Sequence, residues 1–349
     1  MASSLNNSAW LEWMNTLMGG GSRWTYAATF PPDRFYCLLD ELPLHLIPRR
    51  VFRSMQLHDD SDQPLFLNPE CIFRAHEELP DEVEPERERL SGFALQGTIA
   101  WVRDPATGSL LPFWLGPRFE GAVRDLKPGD PVRPASLPDD VRRSLFAAGI
   151  LTPADHAARR LVDWETTVEK SAPSFGKKDY APVANLIQPF HLAALRRYYR
   201  YLIRTGAIQL GDRQSPRRYV AYNEPVARFF HHHIAATLSA VVGQPVKPSY
   251  VYLASYLSGA ELKKHTDREQ CEFSLTLCLD FSPEPELATP WPIRLETPNG
   301  TVEVYQALGD ALAYRGTRVP HYRDALGKGQ TSTSIFFHYV AEDFAGSLD

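Results

Sequence analysis

The sequence predicts an α+β fold whose C-terminal half is an antiparallel β-sandwich or barrel packed on helices. Two long amphipathic patterns, over residues 189–205 and 225–242, have helical spacing. From Ser249 onward the pattern changes to short apolar segments that are rich in β-branched and aromatic residues and separated by turns. The chain also has 29 prolines among its 349 residues, which favours many loops and turns over a helical bundle.

The first part of the chain is predicted to be a mixed α/β region. The apolar segment Asn7–Met18 is typical of a helix, which the glycines at 19–21 bring to an end. Two apolar and aromatic segments, Phe93–Val102 and Leu110–Leu115, flank turn-forming residues at 104–108. These two segments therefore predict a β-hairpin.

A second helix of this region is predicted over Ser136–Ala148. Ser136 is placed to act as its N-cap, and Gly149 stands where a glycine commonly follows a helix. Its size and pattern suggest a small helical or winged-helix module that recognises a peptide.

The second half begins with the two amphipathic helices. Pro189 stands in the first turn of the helix over 189–205, and Gly206 follows its end. The second helix, Pro225–Val242, is closed by Gly243. The strands predicted after the helices are Ser249–Tyr256, Phe273–Phe281, Thr301–Tyr305, Ala311–Tyr314 and Ser332–Val340.

A polar, glycine-containing stretch near Ser171–Lys178 predicts a domain boundary or linker. We therefore expect an N-terminal α+β region over 1–175 and a second domain over 176–349. The N-terminal region is assigned an expected role in substrate recognition.

Composition excludes several classes of protein. The net charge is −5, whereas nucleic-acid binders usually show a strong basic excess. No apolar run is long enough to cross a membrane, and the N-terminus lacks the pattern of a secretory signal. The four cysteines have no paired metal-binding spacing, so we expect reduced, mostly buried thiols in a cytoplasmic protein.

Two histidines and one aspartate form the pattern that carries chemistry. His265 and Asp267 are separated by one residue, so on a strand their side chains point the same way. His321 belongs to a distant segment, which a barrel would bring alongside. Two imidazoles and one carboxylate suit ferrous iron and leave half of an octahedral shell open. We therefore expect these three residues to bind a mononuclear non-haem iron(II).

The surroundings of this pattern resemble the iron(II)/2-oxoglutarate-dependent oxygenases, particularly their prolyl-hydroxylase-like branch. Tyr256-Leu-Ser-Gly259 precedes His265-Thr-Asp267, and Gly309-Asp310 leads through a strand to Pro320-His321. The resemblance implies that residues 176–349 form a double-stranded β-helix, of the jelly-roll or cupin-like type, with supporting helices. It also implies catalytic roles for His265, Asp267 and His321, with 2-oxoglutarate as the co-substrate.

The sequence departs from that family at the co-substrate site. Family members usually carry an Arg or Lys roughly ten residues after the distal histidine, where it pairs with the far carboxylate of 2-oxoglutarate. Here that position is Thr331. We favour Lys328 with Tyr256 for this role, with Ser334 as a second hydroxyl; the alternative reading of Lys328 is a solvated loop residue. Other candidate cations are Arg294, Arg315, Arg318 and Arg323.

The expected function is hydroxylation of an unactivated C–H bond by an iron(II)/2-oxoglutarate-dependent dioxygenase. Its substrate would be a peptide or protein side chain, or a small molecule derived from an amino acid. Two alternatives stay open: an iron oxygenase of the same fold that does not use 2-oxoglutarate, and a non-catalytic binding protein on that fold.

Overall fold

The computed structural model describes residues 30–41, 63–133, 136–184 and 186–349. The helix predicted over Asn7–Met18 lies outside these residues. The described chain is a mixed α/β structure, and the pairs of named strands within it are antiparallel.

The N-terminal region contains two small sheets of three strands each. Their strands are β1 (Leu65–Leu67), β2 (Cys71–Ala75), β3 (Thr98–Arg103), β4 (Leu110–Leu115), β5 (Pro131–Val132) and β6 (Leu151–Thr152). One sheet has the order β5-β1-β6, and the other has the order β2-β3-β4. The predicted hairpin is confirmed, because β3 pairs with β4 across the turn at 104–108.

The N-terminal region also contains two short helices among these strands, α1 (Pro117–Val123) before β5 and α2 (Asp139–Ala147) between β5 and β6. The prediction that Ser136 caps α2 is wrong, because the N-cap position belongs to Pro138. A residue before proline is disfavoured in the helical conformation, so the helix begins beyond Leu137. Gly149 follows the helix with a φ of +72°, as its predicted terminal position requires.

A long helix, α3 (His156–Lys178), occupies the stretch where a linker was predicted. The predicted boundary or linker therefore lies within the last turns of this helix, and the division of the chain at 175 stays a prediction. The Ser171 and Ser174 hydroxyls donate to the carbonyl oxygens of Pro182 and Tyr180. These contacts dock the end of α3 on the following strand, although Pro173 lies inside the helix.

Two further helices, α4 (Pro189–Arg204) and α5 (Pro225–Val242), confirm the amphipathic patterns. Each has a proline in its first turn, which suits that position because the missing N–H would have no partner inside the helix. The side chains of Gln188 and Glu224 cap the two helices by accepting hydrogen bonds from backbone N–H groups of the first turn.

The remaining strands form one sheet of seven strands and one of four. They are β7 (Tyr180–Val183), β8 (Gln209–Leu210), β9 (Arg218–Tyr222), β10 (Val246–Tyr256), β11 (Leu262–His265), β12 (Phe273–Ser282), β13 (Ile293–Thr297), β14 (Gly300–Val304), β15 (Ala311–Tyr314), β16 (His321–Arg323) and β17 (Thr331–Ala341). The larger sheet has the order β7-β15-β12-β17-β10-β9-β8, and the smaller has the order β11-β16-β13-β14.

The two faces of the larger sheet have different partners. Ile335, Phe337 and Tyr339 of β17 belong to a hydrophobic cluster that also contains residues of α4 and α5 and of the N-terminal region. Alternate residues of the same strand point to the opposite face. There Phe336 joins a second cluster with Trp291, which lies just before β13 of the smaller sheet, and a third cluster joins Leu312 and Tyr314 of β15 to Ile293 and Leu295 of β13. The space between the two sheets therefore receives side chains from both.

The ring of Phe35 connects the N-terminal region to the helices. It makes edge contacts with the rings of Trp114, Tyr198 and Phe230, with centroids 5.8 to 6.2 Å apart. Phe35 is fully buried, so these aromatic contacts form the centre of the larger hydrophobic cluster. The role of residues 1–175 in substrate recognition stays a prediction.

No helix among the described residues is long and apolar enough to cross a membrane. The four cysteines, Cys37, Cys71, Cys271 and Cys278, are buried free thiols, as predicted.

Candidate metal centre

The structure brings His265, Asp267 and His321 together between the two sheets. His265 ends β11, and Asp267 follows it after one residue. His321 begins β16, the strand that pairs with β11, and it lies directly opposite His265 in the register. This pairing places the two imidazole rings with their centroids 4.4 Å apart.

The three side chains aim their ligand atoms at a common point. The Nε2 atoms of His265 and His321 lie 3.5 and 3.6 Å from the Asp267 Oδ1. Each Nδ1 lies within hydrogen-bond distance of a backbone carbonyl oxygen, at Lys263 for His265 and at Val319 for His321. Because a ring nitrogen must carry hydrogen to donate to a carbonyl, each Nδ1 is protonated and each Nε2 is the nitrogen available to a metal ion. Without a metal ion, the Nε2 of His265 can instead carry a proton and donate it to Asp267.

The three ligand atoms are close enough to bind one metal ion. Ligand bonds of about 2.1 Å place neighbouring ligand atoms about 3.0 Å apart at right angles and about 3.4 Å apart at tetrahedral angles. The observed separations of 3.5 and 3.6 Å are slightly wider than either, and they do not select a coordination number. Two imidazoles and one carboxylate, with further positions left open, are the donor set that suits iron(II).

The second oxygen of the Asp267 carboxylate is held by other groups. The Ser274 hydroxyl lies 2.8 Å from Oδ2, and the backbone N–H of Asp267 donates to the Gly316 carbonyl oxygen. A Cβ atom on Gly316 would lie 2.4 Å from the same Oδ2, closer than real contacts allow. Gly316 is therefore required where the backbone approaches the carboxylate.

Electrostatic interactions keep Asp267 ionised. Its burial alone raises the pKa, but the hydrogen bond with His265 and the nearby His321 and His338 outweigh that effect and hold the pKa at about 2. Hydrogen bonding to Asp267 raises the pKa of His265, whereas burial lowers the pKa of His321. The carboxylate is therefore available as a ligand at neutral pH.

His338 is a neighbour of the site that the sequence analysis missed. Its Nδ1 lies 2.9 Å from the Ser274 hydroxyl, and its ligand atoms lie close to those of Asp267 and Cys271. Burial lowers the pKa of His338 to about 4. The available signal was the position of His338 on the predicted strand, because residues two apart on a strand share a face and Ser334, Phe336 and His338 therefore lie on the inner face.

The residues predicted to hold the co-substrate do not all come together. Tyr256 and Ser334 are buried on paired strands, β10 and β17. Lys328, in contrast, lies exposed at the turn that precedes β17, beside Gly329 with a φ of +76°. The structure does not bring Lys328 into the buried group, and the physical reason is that this turn points into solvent.

The alternative cations also differ in their surroundings. Arg294 forms ion pairs with Glu303 and Asp324, and Arg315 forms ion pairs with Asp179 and Glu272. Arg318 is exposed. Arg323 alone among these four arginines is buried, and it lies two residues after His321 on β16.

Aromatic side chains and one arginine extend outward from the site. The Tyr250 ring lies 4.6 Å from the His338 ring and 5.1 Å from the Tyr222 ring. Tyr222 is 48% exposed. Arg268, which directly follows Asp267, places its guanidinium carbon 4.4 Å from the Tyr250 ring centroid. This aromatic rim (Tyr222, Tyr250 and Arg268) connects the metal centre with solvent.

The comparisons with known proteins give similar solved structures only. No family model matches the chain, and no curated protein matches it. A prolyl-4-hydroxylase of Pseudomonas putida is 15% identical, with a TM-score of 0.42, and the match covers 50% of this chain and all of that one.

Two other similar structures have comparable values. A Trichoplax adhaerens prolyl hydroxylase in complex with a peptide fragment of hypoxia-inducible factor is 12% identical, with a TM-score of 0.44, over 53% of this chain and 93% of that one. The non-haem α-ketoglutarate-dependent epimerase SnoN of nogalamycin biosynthesis is 14% identical, with a TM-score of 0.42, over 51% of this chain and 84% of that one.

Proposed function

We propose that this protein is an iron(II)-dependent oxygenase that uses 2-oxoglutarate as its co-substrate. The observation that carries the proposal is the convergence of the His265, Asp267 and His321 ligand atoms. The proposal includes the fold: the seven-stranded and four-stranded sheets would be the two sheets of a double-stranded β-helix, with the metal between them.

The residues of the chain have separate tasks in this function. His265, Asp267 and His321 would hold the iron(II), which supplies the capacity to activate oxygen when it is bound. Ser274 orients the carboxylate, and the carbonyl oxygens of Lys263 and Val319 set the tautomers of the two histidines. The buried Tyr314 ring packs 4.7 Å from the His321 ring and limits its rotation.

We further propose that the reaction is hydroxylation of an unactivated C–H bond. The substrate would be a peptide or protein side chain, or a small molecule derived from an amino acid. The aromatic rim supports this class of substrate, since Tyr222 and Tyr250 offer ring surface for packing and Arg268 offers a cation at the edge of the metal centre.

The first experiment is an anaerobic titration of the metal-free protein with iron(II) and then with 2-oxoglutarate. We expect one equivalent of iron to bind, and 2-oxoglutarate then to produce a visible metal-to-ligand charge-transfer band. His265→Ala is expected to remove both signals. His76→Asn, a change of an exposed histidine at a φ that asparagine tolerates, is the matched control and should leave both signals intact.

Each outcome decides between the alternatives. Iron binding without the band would replace this proposal with an oxygenase of the same fold that does not use 2-oxoglutarate. Absence of iron binding would indicate a non-catalytic binding protein and would overturn the proposal.

The substrate is tested separately. Candidate peptides and amino acids are incubated with the iron-loaded protein, 2-oxoglutarate and oxygen, and the products are analysed by mass spectrometry for the gain of one oxygen atom. Tyr222→Ala is expected to raise the KM for a productive substrate without changing the affinity for iron. An unchanged KM would remove the aromatic rim from the proposed substrate site.

A further inference from the structure

The aromatic rim carries a positive charge that no carboxylate of the described residues balances. Arg268 is exposed at this rim, and within the described part of the chain it forms no ion pair. Three other arginines of the C-terminal half each pair with an acid: Arg218 with Asp212, Arg294 with Glu303, and Arg315 with Asp179. The charge of Arg268 is therefore available to a group that comes from solvent.

The guanidinium of Arg268 is held in a fixed position. Its Nε donates to the Tyr250 hydroxyl at 3.3 Å, and the Tyr222 hydroxyl is a second hydrogen-bond partner of the side chain. The guanidinium carbon lies 4.4 Å from the Tyr250 ring centroid, so the cation also contacts the face of that ring. Both partners are neutral oxygens, and a guanidinium has five N–H donors. Donors and charge therefore remain for a carboxylate.

Tyr250 is in turn anchored to the metal centre. Its side chain is buried, its hydroxyl lies 2.9 Å from the Cys271 thiol, and its ring lies 4.6 Å from the His338 ring. The ligand atoms of Cys271, His338 and Asp267 lie within 4.8 Å of one another. Arg268 is therefore kept at a set distance from the candidate metal site, which lowers the entropy that is lost when a ligand binds.

The separation between this cation and the metal centre suits a ligand of the size of one amino acid. The contacts from Asp267 through the Cys271 thiol and the Tyr250 hydroxyl to the Arg268 Nε measure at most 4.8 Å, 2.9 Å and 3.3 Å, and the direct distance is shorter than this path. A charge-assisted hydrogen bond takes about 2.8 Å. Bonds of about 1.5 Å carry an amino acid roughly 5 Å from its carboxyl carbon to its δ carbon. Together these lengths bring a side-chain carbon close to the metal centre.

We propose that Arg268 binds the carboxylate of the substrate, and that the substrate is a free amino acid or a small carboxylic acid derived from one. This inference rests on the proposed function and chooses between its two classes of substrate. The carbon chain of the acid would lie on the rings of Tyr250 and Tyr222, whose centroids are 5.1 Å apart. In a residue inside a peptide the same carboxyl group is an uncharged amide, which would leave the cation unpaired.

The test measures binding in the absence of oxygen. The full chain is loaded with manganese(II) and 2-oxoglutarate, and calorimetry gives the dissociation constants of free amino acids and of their primary amides. The probes are leucine, proline, phenylalanine and lysine, which differ in their side chains. We expect at least one acid to bind roughly 10- to 100-fold more tightly than its amide, since a hydrogen bond to a charged group contributes about that much.

Four variants locate the carboxylate. Arg268→Gln should weaken the acid to the level of its amide, while manganese and 2-oxoglutarate bind as before. Arg268→Lys keeps the charge but loses the planar fork, so it should retain part of the preference. Tyr250→Phe removes the hydroxyl that orients Arg268 and should weaken the acid several-fold without changing the amide. Arg133→Gln is the matched control, since it removes an exposed arginine that forms no ion pair in the described part of the chain. It should change none of the constants.

A pair of peptides tests the other class of substrate. Both are acetylated and amidated at their ends, and they differ only in carrying an aspartate or an asparagine. Tighter binding of the aspartate peptide than of every free acid, lost in Arg268→Gln, would show that the cation serves an acidic peptide. The assignment of a small acid would then be wrong.

The results separate this inference from the proposed function. Equal constants for every acid and its amide, or a preference that survives in Arg268→Gln, would overturn the inference, and binding of 2-oxoglutarate in the same experiment would leave the function standing. Failure of 2-oxoglutarate to bind would count against the function instead. The acids and amides are then compared with manganese alone, and a lack of preference there would also overturn the inference.

Discussion

The Ser274 hydroxyl lies 2.8 Å from Asp267 Oδ2, the carboxylate oxygen that does not face the two histidines. The same hydroxyl lies 2.9 Å from the His338 Nδ1. A serine hydroxyl has one hydrogen to donate, so the consistent arrangement is donation to the carboxylate and acceptance from the imidazole. Ser274 therefore fixes the orientation of the carboxylate, with Oδ1 on the side of the two histidines where a metal ion would bind.

Ser274→Ala should weaken iron(II) binding roughly 10- to 100-fold, since groups that orient metal ligands typically contribute that much. The affinity is measured by anaerobic competition with a chelator. Ser255→Ala is the matched control, because it also removes a buried hydroxyl hydrogen bond, to Thr333, away from the ligands. Equal iron affinity in the two variants would contradict the orienting role.

Gly316→Ala should damage the metal centre more severely. The added Cβ would lie 2.4 Å from both the Asp267 Oδ2 and the Cys271 carbonyl oxygen, so the carboxylate or the backbone must move. We expect at least about a 10-fold loss of iron affinity. Gly176→Ala, at a helical position where the new Cβ meets nothing within 4 Å, should leave iron binding unchanged. Iron affinity at the unsubstituted level in Gly316→Ala would show that the site adapts.

His191 should make the stability of the protein depend on pH. It is fully buried beside Phe35 and Phe113, and its Nε2 lies 2.8 Å from the Pro112 carbonyl oxygen. Burial lowers its pKa to about 4. Below an unfolded pKa of about 6.5 the unfolded chain therefore binds one proton more than the folded chain, and the free energy of unfolding falls as the pH decreases.

The contribution of His191 to the free energy of unfolding is fully present above pH 6.5. It is lost progressively toward pH 4, by roughly 3 kcal/mol in total. His191→Gln should therefore reduce the difference between the free energies of unfolding measured in urea at pH 7 and at pH 5. His76→Asn, at an exposed position, should keep the full difference. An unchanged difference in His191→Gln would mean that this histidine is protonated in the folded state as readily as in the unfolded state.

Asp280 compensates buried positive charge on the other side of the larger sheet. Its carboxylate accepts hydrogen bonds from Arg196 and Arg200 of α4. Asp280→Asn would leave the arginines without that charge and should cost roughly 3 to 5 kcal/mol of unfolding free energy. Asp139→Asn, which removes an exposed partner of Arg142, should cost less than about 1 kcal/mol. Denaturant unfolding of both variants checks the difference, and equal losses would contradict it.

The three candidate metal ligands could be grouped from sequence because their chemistry is carried by residue type and spacing. To predict that His265 and Asp267 lie together, it was enough to place them at the end of a strand. To add His321, it was enough to expect a barrel that brings distant strands alongside. Ser274 and Gly316 could not be located in this way, because their contacts with Asp267 depend on the register of β12 and on the path of the segment after β15.

The predicted co-substrate cation shows the opposite limit. The sequence favoured Lys328, which the structure leaves exposed, whereas Arg323 on β16 is buried. The sequence shows that His321 and Arg323 are two residues apart, but their shared burial is visible only in the structure. Similarly, Pro173 and Gly176 gave α3 the composition of a linker, and only the docking of Ser171 and Ser174 on the following strand explains the helix.

The aromatic contacts of Phe35 have a consequence for how the chain can be divided. Its ring packs against Trp114 on one side of residue 175 and against Tyr198 and Phe230 on the other. A fragment that starts at 176 would keep the three metal ligands but would expose the aromatic face of α4 and α5 to water. Such a fragment should aggregate during expression. A shortened version of the protein therefore has to retain Phe35.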